Sequence, residues 1–280
     1  MKLSVITDEI SQDFQHALDV MLEYNVRGAE LRGLWDINVG DLADDRVAEA
    51  KRLMKERAVS VSCLASPFYK CDIDEDQATV AGMMHLAEAR GYGQQLLLLE
   101  RLCQLAHEFG TDQIRVFTFW RRGDMTPEIE QRIVDAFEAP VKLAEREGVT
   151  LVLENEHACY VGTGEEAARV VRTINSPRVT VCWDPGNALC AGEVPYPDGW
   201  NAVKDLTTHI HVKDAVDGNG ELHWTVIGQG KIDYPGHFDA LRRSGYSGYV
   251  SLETHYKPAE GGTEAGSRAC LAALRTFVKD

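Results

Sequence analysis

Four short runs in the second half of the chain carry, at or near their ends, a side chain that can move a proton or hold a cation. They are Thr150-Leu151-Val152-Leu153-Glu154, Thr180-Val181-Cys182-Trp183-Asp184, His209-Ile210-His211-Val212 and Tyr249-Val250-Ser251-Leu252-Glu253. Apolar residues alternate with the others, which is the period of a strand with two different faces. Leu151 and Leu153 share one face and Glu154 lies on the other; His209 and His211 lie opposite Ile210 and Val212; Glu253 lies opposite Val250 and Leu252. Three carboxylates and one imidazole, Glu154, Asp184, His211 and Glu253, suit a divalent ion of intermediate hardness such as Mn²⁺, Mg²⁺, Co²⁺ or Zn²⁺. The same groups also suit a plain ion-pair network with Arg32, Arg115 and Lys213, because breaking a buried pair costs about 3–5 kcal/mol.

Other polar residues fall on the same inward parity. Arg115 lies opposite Ile114 and Val116, and Glu30 and Arg32 lie opposite Leu31. Glu156 shares the parity of Glu154 and reads as a substrate contact or a loop charge, with His157 beside it. Lys213 is a cation next to an anionic cluster, suited to a substrate oxygen. His209 is expected one layer below His211, as a hydrogen-bonded support. Asp214 is a candidate partner for His211 or Lys213, since ligand histidines usually have one, and equally the start of a turn. Gly228 and Gly230 permit a tight turn that brings the 215–235 loop over the site. Trp224, Phe68, Phe117 and Trp120 are candidate pocket walls. Glu9 and Glu30 are weaker site candidates.

Eight β-rich runs recur along the chain, near Leu3–Thr7, Gly28–Arg32, Ser60–Ala65, Gln113–Phe117, Thr150–Glu154, Val179–Trp183, Thr208–Val212 and Tyr249–Glu253. Amphipathic stretches lie between them: Asp13–Tyr24, Ala43–Arg57, Gln94–Phe109, Pro127–Glu147, Glu165–Ile174, Pro235–Ser244 and Gly262–Val278. Leu189–Asp205 is the weakest of the helices. Eight strands alternating with helices over 280 residues predict an α/β protein, a single (β/α)₈ barrel filling 1–280. Active sites in that fold gather at the C-terminal ends of the strands, where these groups sit. A doubly wound sheet is the alternative, weakened because no glycine-rich fingerprint follows the first strand. The long third connection is expected to hold an extra helix, Asp76–Ala89, and to lie at the barrel mouth or in a subunit contact.

At this level of detail the chain resembles the xylose isomerase-like TIM barrels, in the sugar phosphate isomerase/epimerase branch. The resemblance rests on Val152-Leu153-Glu154-Asn155, Trp183-Asp184-Pro185-Gly186-Asn187, His211-Val212-Lys213-Asp214, Gly228-Gln229-Gly230-Lys231-Ile232-Asp233 and Leu252-Glu253, in the family's order and across nearly the whole chain. It implies one divalent ion, Mn²⁺ first among the candidates, held by Glu154, Asp184, His211 and Glu253. It also implies Glu154 and Glu253 as the acid/base pair, and a carbohydrate-like substrate, a small keto-sugar, polyol derivative or hydroxy-keto acid, isomerised or epimerised through an enediolate. Lys213, Asn187, Glu156, His157, Arg115 and Trp224 are the candidate substrate contacts. Two positions depart from many epimerases: Asn187 stands where they carry a histidine, and Lys213 is the basic group where they place an arginine. A dehydratase acting through the same enediolate is the alternative. A non-catalytic sugar-binding barrel and an endonuclease IV-like phosphodiesterase stand further off.

Composition narrows the partners. The 29 basic residues against 44 acidic ones give a net charge of −15, which repels phosphate backbones and anionic membranes. Neither a nucleic acid nor a membrane is expected as partner, and a homo-oligomer is compatible with the sequence. No apolar run approaches the roughly 20 residues of a membrane helix, and the amino-terminal residues do not read as a signal peptide. The seven cysteines are odd in number and form no CxxC; they read as reduced thiols of a cytoplasmic protein.

Overall fold

In the computed structural model, which describes residues 1–74 and 78–278, the eight β-rich runs pair side by side. The strands are β1 (Lys2–Ile6), β2 (Gly28–Leu31), β3 (Ser60–Leu64), β4 (Gln113–Val116), β5 (Thr150–Glu154), β6 (Val179–Trp183), β7 (Thr207–Val212) and β8 (Tyr249–Leu252). Each is parallel to its chain neighbours, and β1 closes onto β8 with Lys2 opposite Tyr249, giving a closed eight-stranded barrel. Helices connect the strands on the outside, so the fold is a (β/α)₈ barrel.

The alternation read from the sequence divides the apolar residues between two places. Leu151, Leu153, Val181, Ile210, Val250 and Leu252 point outward into the large core under the helices. Val152, with Cys63 and Cys182, forms a small separate cluster on the barrel axis. All seven cysteines are free. Among the described residues, no helix is long and apolar enough to cross a membrane.

Two helical expectations are corrected. Residues 78–89 form no helix; His85 and Leu86 adopt left-handed φ of 47° and 63°, and Val80, Met83 and Leu86 are exposed instead of lining a buried stripe. Asp76 and Gln77 lie outside the described residues. The stretch Pro127–Glu147 is two helices, Pro127–Ala136 and Glu138–Glu147. The break falls at Phe137 because Pro140 has no N–H to give to the carbonyl of Ala136 and its ring crowds that position. The loop after β7 also holds more than a turn, since Asp214–Gly218 and Glu221–Thr225 pair as an antiparallel hairpin.

Candidate metal and active site

The expected inward groups converge at the C-terminal end of the barrel. Ligand atoms of Glu154, Asp184, His211 and Glu253 all lie within 4.8 Å of one another, and none of the four is more than 3 % exposed. Glu154 ends β5. Asp184 follows β6 and caps the short helix Pro185–Cys190, its Oδ1 accepting from the Asn187 N–H at 2.9 Å. The backbone turns there between two hydrogen bonds from Asn155: its Oδ1 accepts from Asp184 N, and its Nδ2 donates to Asp184 O, each at 2.8 Å. Gly186 is required at this turn, because a Cβ would stand 2.4 Å from Cγ of Lys213.

The two ring nitrogens of His211 face opposite surroundings. Nδ1 looks into the cluster, 3.1 Å from Glu154 Oε1, 3.8 Å from Glu253 Oε2 and 4.0 Å from Asp184 Oδ2. Nε2 looks down the axis to Glu30 Oε1 at 3.0 Å, and His209 Nε2 reaches the other oxygen of Glu30 at 2.8 Å. A proton held on Nε2 by Glu30 leaves the Nδ1 lone pair for a cation, the usual arrangement of a carboxylate behind a metal-binding histidine. Glu30, the weaker candidate in sequence, is therefore the partner of His211, and Asp214 is not. Asp214 instead accepts from the backbone N–H groups of Ala215, Gly228, Gly230 and Ile232. That staples the loop, and a Cβ at Gly230 would lie 2.1 Å from its carboxylate.

The anticipated cations are also present. Lys213 Nζ lies 2.5 Å from Glu253 Oε2 and 2.8 Å from Asp184 Oδ2. Arg115 reaches Glu154 Oε2 at 3.2 Å and donates to the carbonyls of Ala65 and Ser66. Arg32 binds Glu253 Oε1 at 3.0 Å, Asp8 at 3.0 Å and Glu9 at 2.5 Å. Burial would raise the Glu253 carboxyl, but Lys213 and His255 hold it well below the ordinary range. At Asp184, burial together with Glu154 and Glu253 outweighs Lys213 and moves the carboxyl up. Burial works against the Lys213 ammonium, yet Asp184 and Glu253 push its pKa well above the usual value.

The remaining sequence candidates sit around this cluster. Asn187 Nδ2 donates to Glu154 Oε1 at 3.1 Å. Glu156 turns away from the four, 3.5 Å from Lys70 Nζ and 3.0 Å from Nδ1 of His157. His157 is half exposed at the rim. Trp224, on the hairpin, places its ring 5.6 Å from Lys213 Nζ and edge-on to His255 at 5.1 Å. Phe117 and Trp120 lie beside the Lys70 ammonium, whereas Phe68 belongs to the outer core against Tyr69. Lys70, His85 and His255 reach the site without having been singled out in the sequence. His255 carries the parity of Glu253 and was legible on that ground; Lys70 and His85 lie on an irregular connection with no pattern to mark them.

The ion pairs do not exhaust the acidic groups. Asp8, Glu9, Glu30, Glu154, Glu156, Asp184 and Glu253 face four permanent cations, Arg32, Lys70, Arg115 and Lys213. Asp184 Oδ2 and Glu154 Oε2 are buried without a directed hydrogen bond despite their nearby cations. Buried charges need compensation, and two carboxylate oxygens that lack a directed hydrogen bond beside an imidazole nitrogen form a donor set that fits a divalent ion.

Similarity to known proteins agrees with this geometry at the level of family. An inosose dehydratase of Lacticaseibacillus casei is 26% identical over 145 residues, covering 46% of this chain and 48% of that protein; the chain thus matches about half the length of this curated relative. The probable 3-DHS dehydratase AsbF of Bacillus anthracis superposes with a TM-score of 0.77 at 16% identity, over 98% of both chains. The IOLI protein, solved with a bound zinc atom, has a TM-score of 0.77 at 19% identity, over 99% of this chain and 98% of its own. A model of the xylose isomerase-like TIM barrel matches residues 18–275, and the chain belongs to that family.

Proposed function

We propose that the protein is a divalent-metal-dependent enzyme that removes a proton next to the carbonyl of a small, uncharged keto-polyol and then expels a neighbouring hydroxyl as water. The observation that carries this reading is the convergence on one centre of Asp184 Oδ2 and Glu154 Oε2, which have ion-pair neighbours but no directed hydrogen bond, and of Nδ1 of His211. Glu154, Asp184, His211 and Glu253 are the residues that would hold the ion. A divalent ion there supplies Lewis-acid polarisation of a carbonyl, which acidifies the adjacent C–H.

The chain's own groups do the rest. Glu154 and Glu253 come from β5 and the end of β8 and reach the cluster from different sides. One carboxylate takes the proton from carbon, and the electron pair passes into the enediolate. When the bond from the neighbouring carbon to its hydroxyl breaks, that pair forms the new double bond, and the other carboxyl delivers the proton that makes the departing group water. Arg32 and Arg115 fix the orientation of Glu253 and Glu154. Among the described residues, each of the four buried cations already has a carboxylate partner, which leaves none of them for a phosphate or carboxylate of the substrate and favours an uncharged one. Dehydration is preferred over isomerisation because the curated relative is an inosose dehydratase.

Epimerisation or isomerisation is the second reading, favoured by the presence of two carboxylates in one cluster. The same enediolate is then re-protonated with no C–O bond broken. Incubation with an inosose in D₂O with added Mn²⁺, followed by NMR, separates the two. The expected result is loss of water and formation of the unsaturated ketone, in which the carbon that gave up its proton keeps neither hydrogen nor deuterium. Deuterated ketone with no loss of water supports the second reading, and neither exchange nor loss of water overturns both. Asp184→Ala is expected to abolish ion binding, read by metal analysis, and turnover with it, while circular dichroism stays that of a folded barrel.

A further inference from the structure

Residues Thr79–His85 of the long third connection run across the C-terminal end of the barrel. Three side chains on the barrel side hold their backbone. Trp120 Nε1 donates to the carbonyl of Thr79 at 2.9 Å, Lys70 Nζ to that of Met83 at 3.1 Å, and Asn38 Nδ2 to that of His85 at 3.2 Å. So pinned, the segment brings His85 to face His255, with ring centroids 6.2 Å apart. A nitrogen of each ring and an oxygen of Glu253 lie within 4.8 Å of one another.

Both histidines sit in the left-handed region, at φ of 47° and 48°. L side chains seldom adopt it, and where they do the surroundings hold them there, often at a working site. Nε2 of His255 is buried, 3.4 Å from Glu253 Oε1 but without a directed hydrogen bond. Among the described residues, neither ring is tied by a hydrogen bond of its own. A second cation does not suit this cluster, since Arg32, Lys70 and Arg115 all act on His85 with positive charge and Arg32 already occupies Glu253. A hydroxyl group does. Neutral imidazole offers one donor and one acceptor, and so does an alcohol.

We propose that His85 and His255 bind hydroxyl groups of the substrate on carbons beyond those that react, and so determine specificity for polyols with hydroxyls on several neighbouring carbons. The inference rests on the keto-polyol reading above and deepens it. Its test uses myo-inositol, a cyclic polyol with no carbonyl to enolise, titrated calorimetrically into the Mn²⁺-loaded protein. Loss of one hydrogen bond is expected to weaken binding about tenfold in His85→Ala and in His255→Ala, with Mn²⁺ content unchanged. His85→Asn, which keeps a donor and an acceptor, is expected to recover part of the loss. Equal affinity in wild type and both alanine variants overturns the assignment, as does a wild-type protein that fails to bind the polyol. Weakened polyol binding in the variants alongside a wild type that exchanges no proton of an inosose supports the histidine assignment and sinks the reaction instead.

Discussion

The two halves of the barrel contribute different things to one cluster. From β5 to β8 come Glu154, Asp184, His211 and Glu253, one from each strand or its end, all pointing at a common centre. From the first half come the groups that hold those four: Arg32 on Glu253, Arg115 on Glu154, Glu30 behind His211, and Asp8 and Glu9, after β1, behind Arg32. The second half is thus equipped for chemistry and the first for fixing charge and orientation. In the proposed reaction, a residue's effect is expected to depend on its half more than on its burial, since members of both are almost fully buried.

The largest effect is expected in the second half. Glu154→Gln and Glu253→Gln each keep the size of the side chain and one ligand oxygen but remove the base, and turnover should fall about 10²–10⁴-fold with the fold intact. Near-normal rates in both, with the ion loaded, would move proton transfer to Lys213, within the same half, and end the two-carboxylate mechanism. In the first half the expected loss is of stability. Arg32→Met leaves Asp8, Glu9 and Glu253 without their shared cation, and urea unfolding should register about 3–5 kcal/mol; a loss below about 1 kcal/mol would show that Arg32 does not frame the site. Glu30→Gln should weaken Mn²⁺ binding about 10–100-fold, the typical cost of losing a carboxylate behind a ligand histidine. Unchanged affinity in a Mn²⁺ titration would detach Glu30 from the function of His211.

The smallest effect sharpens the contrast with a histidine that has no carboxylate. His237, on the helix Tyr234–Arg243, is buried among Tyr196, Trp200 and Tyr234, and burial lowers its pKa to about 3. Its folded value lies below the unfolded value of about 6.5, so the folded state resists protonation. The stability this residue contributes is complete above about pH 6.5 and is lost as pH falls toward 3. Relative to wild type, His237→Phe should lose about 1–2 kcal/mol less between pH 6.5 and 5, measured by urea unfolding at both values. Parallel losses would place the acid sensitivity elsewhere.

What was legible in the sequence follows the range over which each signal acts. All eight strands and the inward parity of Glu154, His211 and Glu253 came from alternation within five or six residues, a pattern the barrel preserves because one face of each strand meets helices and the other the axis. The pairing of Glu30 with His211 spans 181 positions and joins strands across the axis, so no local pattern distinguishes it. Asp214, three residues after His211, reads as a partner of His211 or Lys213 or as the start of a turn, and four backbone donors of the following loop claim it for the turn. The irregular path through His85 escaped for a related reason. It is held by side chains of Asn38, Lys70 and Trp120 rather than by any periodicity of its own.

The helix cap at Asp184 has a consequence for which ions the proposed site admits. Oδ1 accepts the N–H of Asn187, which leaves Oδ2 as the better donor toward the cluster and disfavours chelation through both oxygens. Calcium takes 6–8 oxygens and draws on carboxylates that bind in two-toothed fashion, whereas zinc and magnesium are satisfied by fewer protein donors at shorter distances. One hydrogen bond that caps a six-residue helix would therefore tilt the proposed site toward ions that need fewer oxygens than calcium does.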